Sequence, residues 1–279
     1  MDPIERVRVR VREGQAETER VDALAVEEPL ELRIRSSPDA VATSFVTTMR
    51  TPGHDRELGA GLLFAEGVLA RRSDLVALER LEDPRVSAEL RDNVLIATLG
   101  TEALGRAVGL TRGSVMGSAC GVCGKTSIEN VLPADVPPLE SSWSIAPDVL
   151  HALPARLRER QSVFMETGGL HAAALFTRDG QLLGVREDIG RHNATDKLVG
   201  SYFFTDSLPL SDALLVVSGR AGFEIVQKAF RAGIALVASI SAPSSLAVEL
   251  AESTGLTLVG FLREQRFNVY AHSERIRSM

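Results

Sequence analysis

Residues 213–240 read ALLVVSGRAGFEIVQKAFRAGIALVASI. The apolar runs 213–218 and 234–240 have the length of buried strands and no polar alternation, so both faces of each are expected to be covered. The stretch 222–232 between them has helical length, followed by a second helix over 244–253 and a third strand over 256–261. Strands and helices that alternate with connections of a few residues point to parallel pairing in an α/β layer. Upstream, His171–Thr177 and Gln181–Glu187 flank Asp179-Gly180, a favoured hairpin dipeptide. A helix is expected from near Arg191 through Lys197 and Val199.

The first half of the chain reads differently. Val7-Arg-Val-Arg-Val11 alternates with a period of two, as a half-exposed strand does. Pro29–Ile34, Ala42–Thr48 and Asp92–Leu99 are further strand candidates. Thr51-Pro52 looks like a helix N-cap followed by proline at the first helical position, with Leu58, Leu62 and Ala65 facing inward and Gly67 as the stop. The chain turns glycine- and serine-rich over 101–127. Prolines at 133, 137, 138 and 147 mark a connector. The expected division is a smaller β-rich region, 1–135, and an α/β domain, 136–279. There is no internal repeat and no low-complexity tract.

With 279 residues, 44% hydrophobic and 24% charged, the composition is that of an ordinary globular protein. A net charge of −6 argues against a broad surface for nucleic acid and leaves room for a local basic pocket. No apolar run reaches the length of a membrane span, and the first residues lack the apolar core of an export signal. A cytoplasmic, reducing home is expected, in which two cysteines are thiols with a task.

Both cysteines lie in Ser118-Ala-Cys-Gly-Val-Cys-Gly-Lys-Thr-Ser127. Read as a phosphate loop, the segment fails on context: no apolar strand feeds it, and no partner strand ends in an acid for magnesium. A structural zinc site wants four ligands, but only one Cys-x-x-Cys pair exists, and His54, His151, His171, His192 and His272 are isolated. A three-ligand site from Cys120, Cys123 and a distant histidine stays open. Inert core thiols are the plainest alternative. Against that stand Gly117, Gly121 and Gly124, which expose backbone, with Lys125 and Arg112 nearby and a helix expected from Thr126 or Ser127. A cation and a helix start both favour the thiolate, the nucleophilic form. The segment therefore reads as holding a reactive sulfur.

At this point the chain resembles the formate dehydrogenase accessory sulfurtransferases, the FdhD family of sulfur carriers. The resemblance rests on RTPGHDRELGAGLLFAEGV (50–68), the cysteine loop, ETGGLHAAALF (166–176), GVREDIGRHNATDKLVG (184–200), VVSGRAGFEIVQKA (216–229) and GFLREQRFNVYAH (260–272). It implies a cytoplasmic homodimer whose main domain is a three-layer fold similar to cytidine deaminases. It implies that a cysteine desulfurase loads sulfur as a persulfide and that the carrier passes it to the molybdenum (or tungsten) of a bis(molybdopterin guanine dinucleotide) cofactor destined for formate dehydrogenase. Cys120 aligns with the family's persulfide cysteine and Cys123 with its partner. The family's cofactor-binding stretch falls on Phe261-Leu262-Arg263-Glu264-Gln265-Arg266. No permanently bound metal is expected.

The residues themselves bear on that expectation. Arg263 and Arg266 follow a strand directly, where ligands gather in open α/β sheets, and arginine can pair with pyrophosphate through two parallel hydrogen bonds. Ser218-Gly219-Arg220-Ala221-Gly222, between a strand and a helix start, is a second candidate phosphate cradle, or equally a plain tight turn. His171 is a third cofactor-binding candidate. If helical, Asp188, His192 and Asp196 share a face, although composition favours a solvated helix start for 188–197. His54 is expected at the surface. Two other functions compete with sulfur transfer: a chaperone that binds the cofactor without moving sulfur, and a zinc hydrolase of deaminase type.

Overall fold

The computed structural model describes residues 2–111, 139 and 143–278; Cys120, Cys123 and their neighbours lie outside the described residues. From the N-terminus, β1 (Ile4–Glu13) and β2 (Ala16–Ala25) form an antiparallel hairpin. β3 (Glu28–Arg35), β4 (Thr43–Arg50), α1 (Asp55–Ala65), β5 (Leu75–Arg80), α2 (Ala88–Asp92), β6 (Val94–Leu99) and α3 (Thr101–Thr111) follow. The second half contains α4 (Pro147–Arg158), α5 (Ser162–Thr167), β7 (His171–Thr177), β8 (Leu182–Asp188), α6 (Arg191–Phe204) and β9 (Ala213–Val217). It continues with α7 (Phe223–Arg231), β10 (Leu236–Ser239), α8 (Ser245–Thr254), β11 (Thr257–Gly260) and β12 (Asn268–Ala271). The α/β class expected from residues 213–261 is the one observed.

A four-stranded sheet has the order β4-β3-β6-β5, and a six-stranded sheet the order β12-β11-β10-β9-β7-β8. β9, β10 and β11 run parallel, while β7 is antiparallel to β9. All five residues of β9 are buried because each face of the sheet has its own core. Leu215 and Val217 join Leu198, Ile225, Val237 and Leu258 on the side of α6, α7 and α8. Leu214 and Val216 join Leu150, Leu153, Leu157 and Phe176 on the side of α4. Each such side chain stabilises the fold by about 1.5–3 kcal/mol, which outweighs the strand's lack of amphipathic pattern. The first of these cores also takes in Leu30, Leu32 and Leu95 of the four-stranded sheet, with α1 and α6 packed between the two sheets.

α1 and α6 cross in backbone contact. A Cβ on Gly61 would run into the Asp196 carbonyl, and one on Gly200 into the Glu57 carbonyl, so glycine is required at both. Beside this crossing Arg186 of β8 donates to Glu57 from Nε (2.5 Å) and Nη2 (2.8 Å), and His54 Nδ1 lies 3.2 Å from the same carboxylate. Burial alone would raise the Glu57 pKa, but the hydrogen bonds and charges of Arg186 and His54 outweigh it and hold it at about 2. Because the folded value lies below the unfolded one of about 4.3, this stabilisation is complete above that pH and is lost as pH falls toward about 2. The stability gap between the native protein and Arg186→Gln should therefore be constant above about pH 5 and close below about pH 4, as urea unfolding at pH 7, 4 and 2.5 would record. A gap independent of pH would refute this account.

Several expectations for the first half need correction. The helix after β4 begins at Asp55 with His54, in a left-handed conformation, at its N-cap. Thr51 does not cap it, because its backbone and hydroxyl are all committed to the β8–α6 segment: Thr51 N donates to Asp188, its carbonyl accepts from Lys197, and its hydroxyl accepts from Ile189 N. Leu58 and Ala65 are buried as expected, whereas Leu62 is only partly covered. Residues 101–111, the start of the glycine- and serine-rich stretch and not among the expected elements, are helix α3. His54 is exposed, as expected.

Candidate functional site

β8, β9, β10 and β11 all point their carboxyl ends to one edge of the six-stranded sheet, where antiparallel β7 begins. That edge gathers His171, the segment 188–193, the turn 218–222 and the loop 261–267, which come from widely separated parts of the sequence.

The segment between β8 and α6 is the most rigidly built. Asp188 is the last residue of β8, fully buried, and not helical as its spacing with His192 and Asp196 allowed. Its Oδ1 accepts from Gly190 N (2.8 Å) and Asn193 Nδ2 (3.1 Å), and its Oδ2 accepts from Thr51 N (3.2 Å) and lies 2.7 Å from Lys197 Nζ. Asn193 also donates to the Met49 carbonyl at 2.7 Å, tying the head of α6 to β4. One turn on, Asp196 binds Lys228 of α7 at 2.6 and 2.8 Å, and burial pushes the Asp196 carboxyl up while Lys228 opposes it. The solvated helix start favoured by composition is thus a buried ionic network: Asn193, Asp196 and Lys197 are covered by α1, α7 and β4.

His192 Nδ1 lies 2.8 Å from Glu224 Oε2 in the first turn of α7. His171, the first residue of β7, is half-buried. Burial pushes its pKa down, positive Arg191 and His192 push it further, and Asp188 opposes them. Gly219 passes between: a Cβ there would stand 3.3 Å from His171 Nδ1 and 3.5 Å from Arg191 Cδ. Ser218 locks the turn by accepting from Ala172 N through Oγ at 2.8 Å. Arg220 is exposed and Gly222 is the N-cap of α7.

The loop after β11 turns sharply at Phe261, whose φ is 52°. Phe261 N and Leu262 N donate to the carbonyls of Ser241 and Ser239, which pins the loop against the end of β10. Leu262 is buried, while Arg263, Glu264, Gln265 and Arg266 are exposed. Arg263 folds back so that Nη1 donates to the carbonyls of Leu262 and Ile240. Arg266 accepts from Arg263 N through its own carbonyl, and its side chain is exposed.

Every described candidate therefore lies at this edge; Cys120 and Cys123 fall outside the described residues. Sequence reasoning passed over Glu224, since an acid in a helix's first turn is explained by the helix dipole alone and carries no sign of a distant histidine. Among the described residues no group of three His, Cys, Asp or Glu side chains is placed to hold a metal ion, and no helix is long and apolar enough to cross a membrane.

The model of the FdhD/NarQ family matches residues 25–277. The chain is 48% identical over 274 residues to the sulfur carrier protein FdhD of Streptomyces coelicolor, a match covering 96% of this chain and 93% of that protein. It is 48% identical over 262 residues to the protein of that name from Mycobacterium tuberculosis, with 92% of each chain covered. With the one from Saccharolobus solfataricus it shares 41% identity over 270 residues and 96% of each. A crystal structure described as a formate dehydrogenase accessory protein from Desulfotalea psychrophila has the same fold, with a TM-score of 0.74 at 23% identity, covering 99% of this chain and 100% of that one.

Proposed function

The chain belongs to the FdhD/NarQ family, and from that premise we propose that it is a sulfur carrier in the maturation of formate dehydrogenase. It accepts sulfur from a cysteine desulfurase as a persulfide on Cys120 and delivers it to the metal of bis(molybdopterin guanine dinucleotide), which it binds as substrate. Cys123 assists, by hydrogen bonding to the sulfur or by displacing it through a transient disulfide. The protein works in the cytoplasm as a homodimer and hands the sulfurated cofactor to formate dehydrogenase. Three long-named relatives carry the sulfur-carrier name over nearly their whole length.

The observation that carries the acceptor half is the convergence at one sheet edge of His171, Gly219–Gly222 and Phe261–Arg266, more than 80 residues apart in sequence from first to last. Such an edge, at the carboxyl ends of parallel strands, is where open α/β sheets receive nucleotides. Arg266, exposed on the rim, suits a pyrophosphate of a guanine nucleotide tail. GDP should bind the purified protein, and Arg266→Ala should weaken it about tenfold or more, since a charge-assisted hydrogen bond contributes about 1.5–3 kcal/mol. Equal GDP affinity in the variant, by calorimetry, would remove Arg266 from the site. The transfer itself is tested by restoring formate dehydrogenase activity to cells that lack the native gene; a protein that restores activity without Cys120 would be a chaperone and no carrier.

A further inference from the structure

One group of basic side chains at the sheet edge is not used by the nucleotide loop. Arg191 opens α6, and its Nε is buried without a hydrogen-bond partner among the described residues. A buried guanidinium nitrogen left unpaired is costly, and a ligand that accepts from it removes the cost. His171 lies beside it, across the same turn at Gly219, and burial together with the neighbouring positive charge favours its neutral imidazole, which can still donate a hydrogen bond. With His192 Nδ1 committed to Glu224, Nε2 is the nitrogen left to meet a ligand.

The backbone adds to the same site. α6 and α7, of 14 and 9 residues, each start from a glycine N-cap, Gly190 and Gly222, and no side chain caps either. α6 has no acidic residue in its first turn. The nearby carboxylates are already engaged: Asp188 with Lys197 and Glu224 with His192. Two helix starts without side-chain caps, an arginine with an unpaired buried Nε and two imidazoles able to donate form a setting for a small anion, with Glu224 in the first turn of α7 engaged by His192.

We propose that Arg191, His171 and His192, with the heads of α6 and α7, form an anion subsite separate from the loop 261–266, and that it receives the oxo-metal head of the pterin substrate. Assigning the ligand rests on the function proposed above; the subsite itself does not. The same donors could equally take a nucleotide phosphate, so the two sources must be separated. The oxo-metal head is favoured because exposed Arg266 is offered to the tails, whereas Arg191 is partly covered and its Nε is shielded from water.

The probe is molybdate, titrated calorimetrically into the full-length protein with and without saturating GDP. Molybdate should bind one per chain. GDP should leave that affinity within about twofold, and Arg191→Gln should reduce it about tenfold or more while leaving GDP affinity unchanged. Arg191→Lys, which keeps the charge but not the planar fork, should fall between the two. Thermal unfolding of both variants checks that they are folded, and if Arg191→Gln is not, Arg191→Lys and His192→Gln carry the comparison. Absence of molybdate binding to the native protein, equal binding in the variants, or displacement of molybdate by GDP would each overturn the subsite. Failure of GDP binding or of sulfur loading, with the molybdate results intact, would instead count against the proposed function.

Discussion

Replacing Cys120 by alanine should abolish sulfur loading and, with it, the activation of formate dehydrogenase. A carrier must attack the persulfide of its donor with a thiolate and then present the terminal sulfur, and no other side chain in this chain except Cys123 can do so. An ordinary cysteine is only a few per cent thiolate at neutral pH. Lys125 and Arg112, near in sequence, carry the charge that favours a thiolate. Incubated with a cysteine desulfurase and cysteine, the native protein should gain about 32 Da, the mass of one sulfur atom, reversibly with dithiothreitol. Cys120→Ala should show no adduct and leave formate dehydrogenase activity in complemented cells at background. Cys123→Ala should keep the adduct and lose only part of the activity. Because the sheet-edge residues are untouched, GDP affinity should be the same in all three proteins, which separates a failed carrier from a misfolded one. An adduct on Cys120→Ala as large as the native one would sink the assignment.

Lys197→Met should be the most damaging single change to the fold. Lys197 and Asp188 are both buried, at 1% and 0% side-chain exposure, and Nζ also donates to the carbonyls of Thr51 (2.8 Å) and Glu187 (3.4 Å). Removing one member of a buried pair leaves the other charge uncompensated, at a cost of about 3–5 kcal/mol. That is a large part of a total stability of roughly 5–15 kcal/mol and should lower the melting temperature by about 10 °C. The double variant Asp188→Asn/Lys197→Met should recover part of the loss, since no charge is then stranded. A double variant less stable than Lys197→Met alone would show that the carboxylate's bonds to Thr51 N, Gly190 N and Asn193 matter more than its charge.

The elements that were legible are those whose signal is local. Leu214–Val217 announces a strand covered on both faces because no polar residue interrupts it. Asp179-Gly180 announces a hairpin because Gly180 takes a φ of 76°, which side-chain-bearing residues resist. β2 was missed since AETERVDALA has neither alternation nor strong strand formers, and it is held by its ladder with β1. α3 is not announced because Gly105 and Gly109 are poor helix formers, although both are exposed in the helix.

The candidate site divides in the same way. Arg263, Arg266 and Gly219–Gly222 could be picked out since a strand followed by glycine or arginine is a pattern within one segment. Glu224 beneath His192 and the unpaired Nε of Arg191 arise between segments. So does the burial of 188–197, whose charged composition by itself indicates solvent.

By itself, the sequence determined the α/β layer, the order of its strands and helices, and the residue types available for sulfur and anion chemistry, because periodicity, turn propensity and side-chain chemistry are properties of neighbouring residues. Only the tertiary structure decided that Thr51 serves Asp188 in place of a helix, and that His171, Arg191, His192 and Glu224 share one edge. Hydrogen bonds, ion pairs and desolvation depend on distances in space, and they join segments far apart in sequence, as in the bond from Lys197 to Thr51, 146 residues away.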